Sequence, residues 1–96
     1  MTGTIELHAF MWLADLFKER QWSNPTTVEL EHELHGPAFL ERIGIAANRV
    51  EVLLINRKAA DPATAIIRPG DRVALVPPGV PGPHRALLGF KANANR

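Results

Sequence analysis

Apolar and polar positions alternate with a period of two from Thr4 to Met11: Ile5, Leu7, Ala9 and Met11 fall on one side, Glu6, His8 and Phe10 on the other. That pattern predicts a half-buried strand. From Trp12 to Trp22 the period changes. Leu13, Leu16, Phe17 and Arg20 share one helical face while Asp15, Lys18 and Glu19 lie opposite, so a short amphipathic helix is expected. Ser23-Asn24-Pro25 punctuates the chain. Strict alternation returns over Thr26–His35. Val28, Leu30 and Leu34 face one way with His32, and Glu29, Glu31, Glu33 and His35 face the other. This second strand is expected to pair antiparallel with the first.

Gly36-Pro37 turns the chain, and proline suits the first turn of a helix, because the missing N–H would have no partner there anyway. Phe39, Leu40, Ile43 and Ile45 supply the buried stripe of a short helix over residues 37–44. Val50–Ile55 reads as an apolar strand that ends at Asn56-Arg57. Residues 56–69 read as a loop carrying one short strand at Ile66-Ile67. Pro69-Gly70 suits the central positions of a type II turn, where glycine supplies the positive φ. The last strand, Val73–Val76, is apolar throughout and is stopped by Pro77-Pro78, since proline gives no N–H to a ladder. The expected architecture is a single α+β domain: one mixed sheet, with an antiparallel opening pair, packed on one main helix.

Three pieces of the chain resemble the MoaD/ThiS family of ubiquitin-like sulfur carriers. They are Glu33-Leu34-His35-Gly36-Pro37-Ala38-Phe39-Leu40-Glu41-Arg42-Ile43-Gly44-Ile45, the strand Val50 to Arg57 with Asn56 at its end, and Gly70-Asp71-Arg72-Val73-Ala74-Leu75-Val76-Pro77-Pro78. With the first strand they cover roughly residues 4–82. The resemblance implies a β-grasp (ubiquitin-like) domain over residues 1–82, followed by a basic C-terminal extension over 83–96. It also implies a non-enzymatic carrier, accessory to molybdenum or tungsten pterin cofactor biosynthesis. Family members end in Gly-Gly. The terminal carboxylate is adenylated by an E1-like activating enzyme and becomes a thiocarboxylate. Its sulfur then passes to a pterin precursor, on the large subunit of molybdopterin synthase, or to the thiazole of thiamine.

The tail departs from that pattern. Gly82 falls where the terminal glycine would sit, Pro81 replaces its partner, and no Gly-Gly pair occurs anywhere in the chain. The partner-binding tail is therefore expected to use Pro77, Pro78, Gly79, Pro81 and Gly82, then His84, Arg85, Leu87, Leu88, Gly89 and Phe90. A second expectation is a β-grasp interaction module without sulfur chemistry, which uses its sheet face and residues 84–90 to bind a larger protein, such as an oxidoreductase subunit.

Composition narrows the alternatives. There is no cysteine, which removes a disulfide framework, a thiolate nucleophile and Cys-ligated metal. No apolar run approaches the ~20 residues that span a bilayer, and no signal peptide is apparent, so a cytoplasmic location is expected. All ten acids precede Pro77, whereas Arg85, Lys91 and Arg96 follow it. Three cations over twenty residues are too sparse for a phosphate-binding patch, and nucleic acid is not the expected partner. The row Glu29, Glu31, Glu33, His35 has the side-to-side spacing of metal ligands on a strand. Without a convergent second element it reads as a solvated face. His8 reads as a surface residue. Ser23, the only serine, lies in a turn and lacks the setting of a nucleophile. No catalytic site and no cofactor are expected.

Overall fold

The computed structural model describes residues 3–79. β1 (Gly3–Ala9) leads into α1 (Trp12–Glu19), and β2 (Thr26–Leu30) follows. β3 (Leu34–His35) runs directly into α2 (Gly36–Ile43). A 3-10 turn at Ala47–Arg49 precedes β4 (Val52–Ile55), β5 (Lys58–Ala60), β6 (Ile66–Ile67) and β7 (Arg72–Val76). The main sheet has five strands in the order β2-β1-β7-β4-β5. β1 pairs antiparallel with β2 (Ile5 opposite Val28) and parallel with β7 (Leu7 opposite Val73). β4 is antiparallel to both β7 and β5. The domain is thus α+β with a mixed sheet, as the hydrophobic pattern predicts.

Both helices cover the same face. Leu13 and Phe17 of α1 and Phe39, Leu40 and Ile43 of α2 pack with Ile5, Leu7, Leu53, Val73 and Leu75 in one core. Of the side expected to face inward on β1, Ile5, Leu7 and Ala9 are buried in this core. Two helices of eight residues share the work, rather than one main helix.

Each helix ends in a six-to-one closure. In α1 the Trp22 N–H donates to Phe17 O (2.8 Å) and Gln21 N–H to Lys18 O (3.0 Å), with Gln21 at φ 61. The Phe17 and Trp22 rings then meet edge to face at 5.2 Å, the hydrophobic contact that accompanies this motif. In α2, Ile45 N–H donates to Leu40 O (3.0 Å), and Gly44 supplies the left-handed residue at φ 71. Arg20 ties the two ends together. Its guanidinium donates to Ile43 O (2.7 Å) and Gly44 O (2.5 Å) and lies 4.9 Å from the Trp22 ring centroid. A cation at the α2 C-terminus satisfies carbonyls that the helix leaves open and complements its dipole.

Three expectations are corrected. The strand expected over 26–35 is two strands in different sheets. Leu30 is opposite Gly3, the first residue of β1, and among the described residues the ladder ends there. The chain bends there, and β3 pairs instead with β6 (Leu34 opposite Ile67) in a two-stranded ribbon beside the core. His32 is exposed rather than facing inward. The first strand stops at Ala9, and Met11, at φ 57, turns the chain into α1 and is 44% exposed. Finally, residues 56–69 contain a second short strand. Asn56 (φ 52) and Arg57 (φ 74) form the two-residue left-handed turn that matches strand twist and closes the β4–β5 hairpin.

Side chains finish several backbone ladders. The Asn24 amide accepts from Ala9 N–H (3.1 Å) and donates to Ala9 O (3.0 Å), in place of a strand that β2 does not provide there. Asn56 accepts from Arg72 N–H (3.0 Å) and donates to Asp71 (3.0 Å), which in turn accepts from Arg68 N–H (2.8 Å). The expected turn at Pro69-Gly70 is present, with Gly70 at φ 95 and Asp71 N–H donating to Arg68 O (3.0 Å).

Gly36 is required by space: a Cβ there would lie 1.8 Å from Pro62 O. Gly36→Ala should cost about 1–3 kcal/mol or more, because the 61–65 loop must move. Urea unfolding of the variant measures this directly. Gln21 carries the opposite lesson, as a non-glycine residue in the left-handed region. Gln21→Gly should raise stability by roughly 0.5–1 kcal/mol, since only glycine adopts that φ without crowding its Cβ; a higher urea midpoint at unchanged slope is the expected result.

Candidate functional site

Strand alternation divides the sheet into two faces, and the helices use only one. On the other face, register puts three rows across the strands. Glu6 of β1 stands beside Arg72 of β7. His8 stands beside Ala74, which is opposite Leu54 of β4. Val76 is opposite Val52, and Phe10 joins them in the same cluster. The face is therefore graded along its length, charged at one end and apolar at the other. β7 runs from the charged end to the apolar end, so the chain leaves the sheet beside Phe10, Val52 and Val76.

The first residues of the expected tail lie at that exit. Pro77 is buried, while Pro78 and Gly79 are exposed. Gly79, at φ 86, abuts the indole of Trp12: a Cβ there would be 3.6 Å from its ring. Trp12 is itself 48% exposed and sits next to exposed Met11, a pair of large apolar side chains at the mouth of β7. Neither residue is part of the tail expected from the sequence. Their signal is the run Phe10-Met11-Trp12, which is apolar through a change of period and cannot all face one core. The remaining tail residues, Pro81, Gly82, His84, Arg85, Leu87, Leu88, Gly89 and Phe90, lie outside the described residues, as does the division at 82/83.

At the charged end His8 is more than a surface residue. Its side chain is 18% exposed, and Nε2 lies 2.8 Å from Glu6 Oε1. Arg72 Nε approaches His8 Nε2 (3.2 Å) and Glu6 Oε1 (3.4 Å). One nitrogen cannot both donate to Glu6 and accept from Arg72, so these two contacts belong to different protonation arrangements of His8. The His8 hydrogen bond holds the Glu6 carboxyl below its ordinary range, with the charges of His8 and Arg72 adding to it. The sequence hints at this cluster through the i, i+2 spacing of Glu6 and His8. Arg72 joins only through the parallel pairing of β1 with β7. Between the two ends, His8, Phe10, Leu54, Arg57, Arg72 and Ala74 line a shallow groove of about 190 Å³.

The carboxylate row is dispersed. Glu29 is on β2, Glu31 and Glu33 lie in the bend, and His35 belongs to β3 in the other sheet. Glu33 instead approaches Arg68 (3.4 Å) on the surface. Among the described residues no group of three His, Asp or Glu side chains could hold a metal ion. Ser23 donates to Pro25 O (2.8 Å). A wider groove of about 420 Å³ follows the outer edge of β2, between Trp22 and Arg42. Arg42 donates to Glu29 O there (2.8 Å), which occupies one outward carbonyl of an edge strand. No helix among the described residues is long and apolar enough to cross a membrane. Comparison of the chain with known protein families and with characterised proteins gives no match.

The lowered Glu6 pKa fixes the sign of a pH effect. Its stabilisation is present above the carboxylate range of the unfolded chain and is lost as pH falls through its folded value. Glu6→Gln should therefore lower the melting temperature slightly at neutral pH and leave it unchanged in acid, below both pKa values. Parallel melting curves of the two proteins across that range check it.

Proposed function

We propose that this domain is a non-enzymatic β-grasp protein of the MoaD/ThiS type, a sulfur-carrier-like accessory to molybdenum or tungsten pterin cofactor assembly. The antiparallel opening pair, the α2 crossover and the last strand inserted parallel to the first all support the β-grasp reading. The observation that carries the functional reading is the position of β7. The central strand of the sheet ends in Pro77-Pro78-Gly79 at the apolar end of the helix-free face. Whatever follows Gly79 is thus delivered from a rigid base, next to a surface able to bury against a second protein. That is the geometry a carrier needs to hand its tail to another protein's site. Its partners would be an E1-like adenylating enzyme and the large subunit of molybdopterin synthase. The carrier itself contributes no catalytic group, cofactor or metal, and works in the cytoplasm.

A second reading has its own support. The chain lacks Gly-Gly, and exposed Met11 and Trp12 with partly buried Phe10 and Val52 form an apolar margin that would serve a stable complex equally well. In that case the domain is an interaction module for a larger protein such as a cofactor-dependent oxidoreductase.

Intact mass of the protein from its native host separates the two. A species ending at Gly82 or Gly89, and especially one heavier by an oxygen-to-sulfur exchange, is the result expected of a carrier. A single mass ending at Arg96, with no acyl-adenylate formed on incubation with an adenylating enzyme and ATP, overturns the carrier reading and leaves the module.

A further inference from the structure

β2 is an outer strand of the main sheet, bonded to β1 on one side. Register shows which of its backbone groups look outward. Glu6 N–H donates to Asp71 O (3.1 Å) and Gly70 N–H donates to Thr4 O (2.8 Å), so Thr4 and Glu6 turn these groups toward the β7 side. Their partners Glu29 and Thr27 then turn theirs away from β1, because hydrogen-bonded and non-hydrogen-bonded pairs alternate along an antiparallel ladder. The bond from Arg42 to Glu29 O (2.8 Å) agrees with that orientation. Thr27 N–H, Thr27 O and Glu29 N–H have no partner among the described residues.

These groups border the groove of about 420 Å³ that Trp22, Val28, Arg42 and Ile43 also line. Val28 stands opposite Ile5 on the helix side, whereas alternation sends the side chains of Thr27 and Glu29 to the other face. Arg42 is thus the charge that the helix side presents to the groove. It has no carboxylate partner among the described residues.

We propose that this edge accepts an extended segment of another protein as a further strand, parallel to β2, with apolar residues at alternate positions and a carboxylate side chain after them. A parallel strand takes up Thr27 N–H, Thr27 O and Glu29 N–H with two alternate residues of its own. Those two residues point into the groove beside Val28, Trp22 and Ile43, which is why they are apolar. Glu29 O is needed only after them, and Arg42 already holds it. The segment leaves the edge there, where a carboxylate meets the remaining N–H groups of the guanidinium. An antiparallel strand pairing with both Thr27 and Glu29 would instead bring an N–H against that cation. A second copy of this chain would bring another Arg42 into the same groove, a cation where a carboxylate belongs. β1 separates this edge from β7, so the inference does not depend on the carrier reading.

The probe is an acetylated, amidated peptide of valine, threonine, valine, threonine and glutamate in that order, added to isotope-labelled full-length protein. At millimolar peptide the Thr27 and Glu29 amide resonances and the Trp22 indole should shift. The two amides, expected to exchange fast with solvent in the protein alone, should become protected. Lysine in place of the glutamate should weaken binding about three- to fivefold, the range of an exposed ion pair, and Arg42→Glu should reverse that preference. Thr27→Pro should abolish binding and keep the fold, since the N–H it removes points away from β1. Unchanged Leu7 and Leu75 methyl resonances report the intact core in both variants. Absence of shifts at Thr27 and Glu29, or equal binding of the glutamate and lysine peptides, overturns the proposal. So does protection of these amides that rises with protein concentration without peptide, which makes a second copy the occupant.

Discussion

β7 is hydrogen-bonded on both sides, parallel to β1 and antiparallel to β4. Its alternate side chains belong to two different apolar clusters, Val73 and Leu75 beneath the helices and Ala74 and Val76 on the opposite face. Remove this strand and the sheet separates into two antiparallel pairs, β2-β1 and β4-β5. Two-stranded pairs of that size are marginal alone. The need to bury both faces of β7 also explains its composition, apolar at every position after Arg72. A strand with one face in water would alternate instead.

From that constraint the positions of the other elements follow. A parallel neighbour for β1 demands a long crossover, and the chain makes it through α2 and the β4–β5 hairpin. Both helices then have to lie on the face that this crossover leaves, where α1 and α2 meet end to end. Arg20 resolves the meeting by serving as a partner for the carbonyls at the α2 terminus while its own helix closes through Gln21 and Trp22. The loop 61–65 passes so near the α2 start that only Gly36 fits beneath Pro62. At the far margin, Asn56 and Asp71 link the β4–β5 turn to the turn before β7, so the two bends that frame the charged end hold each other.

Much of this was legible in the chain. Ile5, Leu7 and Ala9 announce a half-buried strand, Leu13 and Phe17 a helical stripe, Pro69-Gly70 a turn and Val73–Val76 a fully buried strand. What escaped was decided by pairing, which no local pattern encodes. Glu31-His32-Glu33 continue a perfect alternation, yet among the described residues the ladder with β1 ends at Leu30, opposite Gly3. Lys58-Ala59-Ala60 have little intrinsic preference for extended structure. They become β5 only because Asn56 and Arg57 adopt left-handed backbone angles and fold them back on β4. The tail residues were named from a family pattern, and among the described residues only Pro77, Pro78 and Gly79 have a position. Met11 and Trp12, at the same exit, belong to no motif and become visible only when β1 and β7 are placed side by side.

The parallel pair also bears on how the protein comes into being. Leu7 and Val73 are partners in the ladder although most of the chain lies between them. Contacts so distant in sequence are slow to form, since the intervening loop must lose its freedom before the pair rewards it. During synthesis the central slot between β1 and β4 stays vacant until residues 72–76 have left the ribosome. Until then the nascent chain carries two unpaired sheet edges, each able to accept a foreign strand. The sheet closes from its middle, and it closes last.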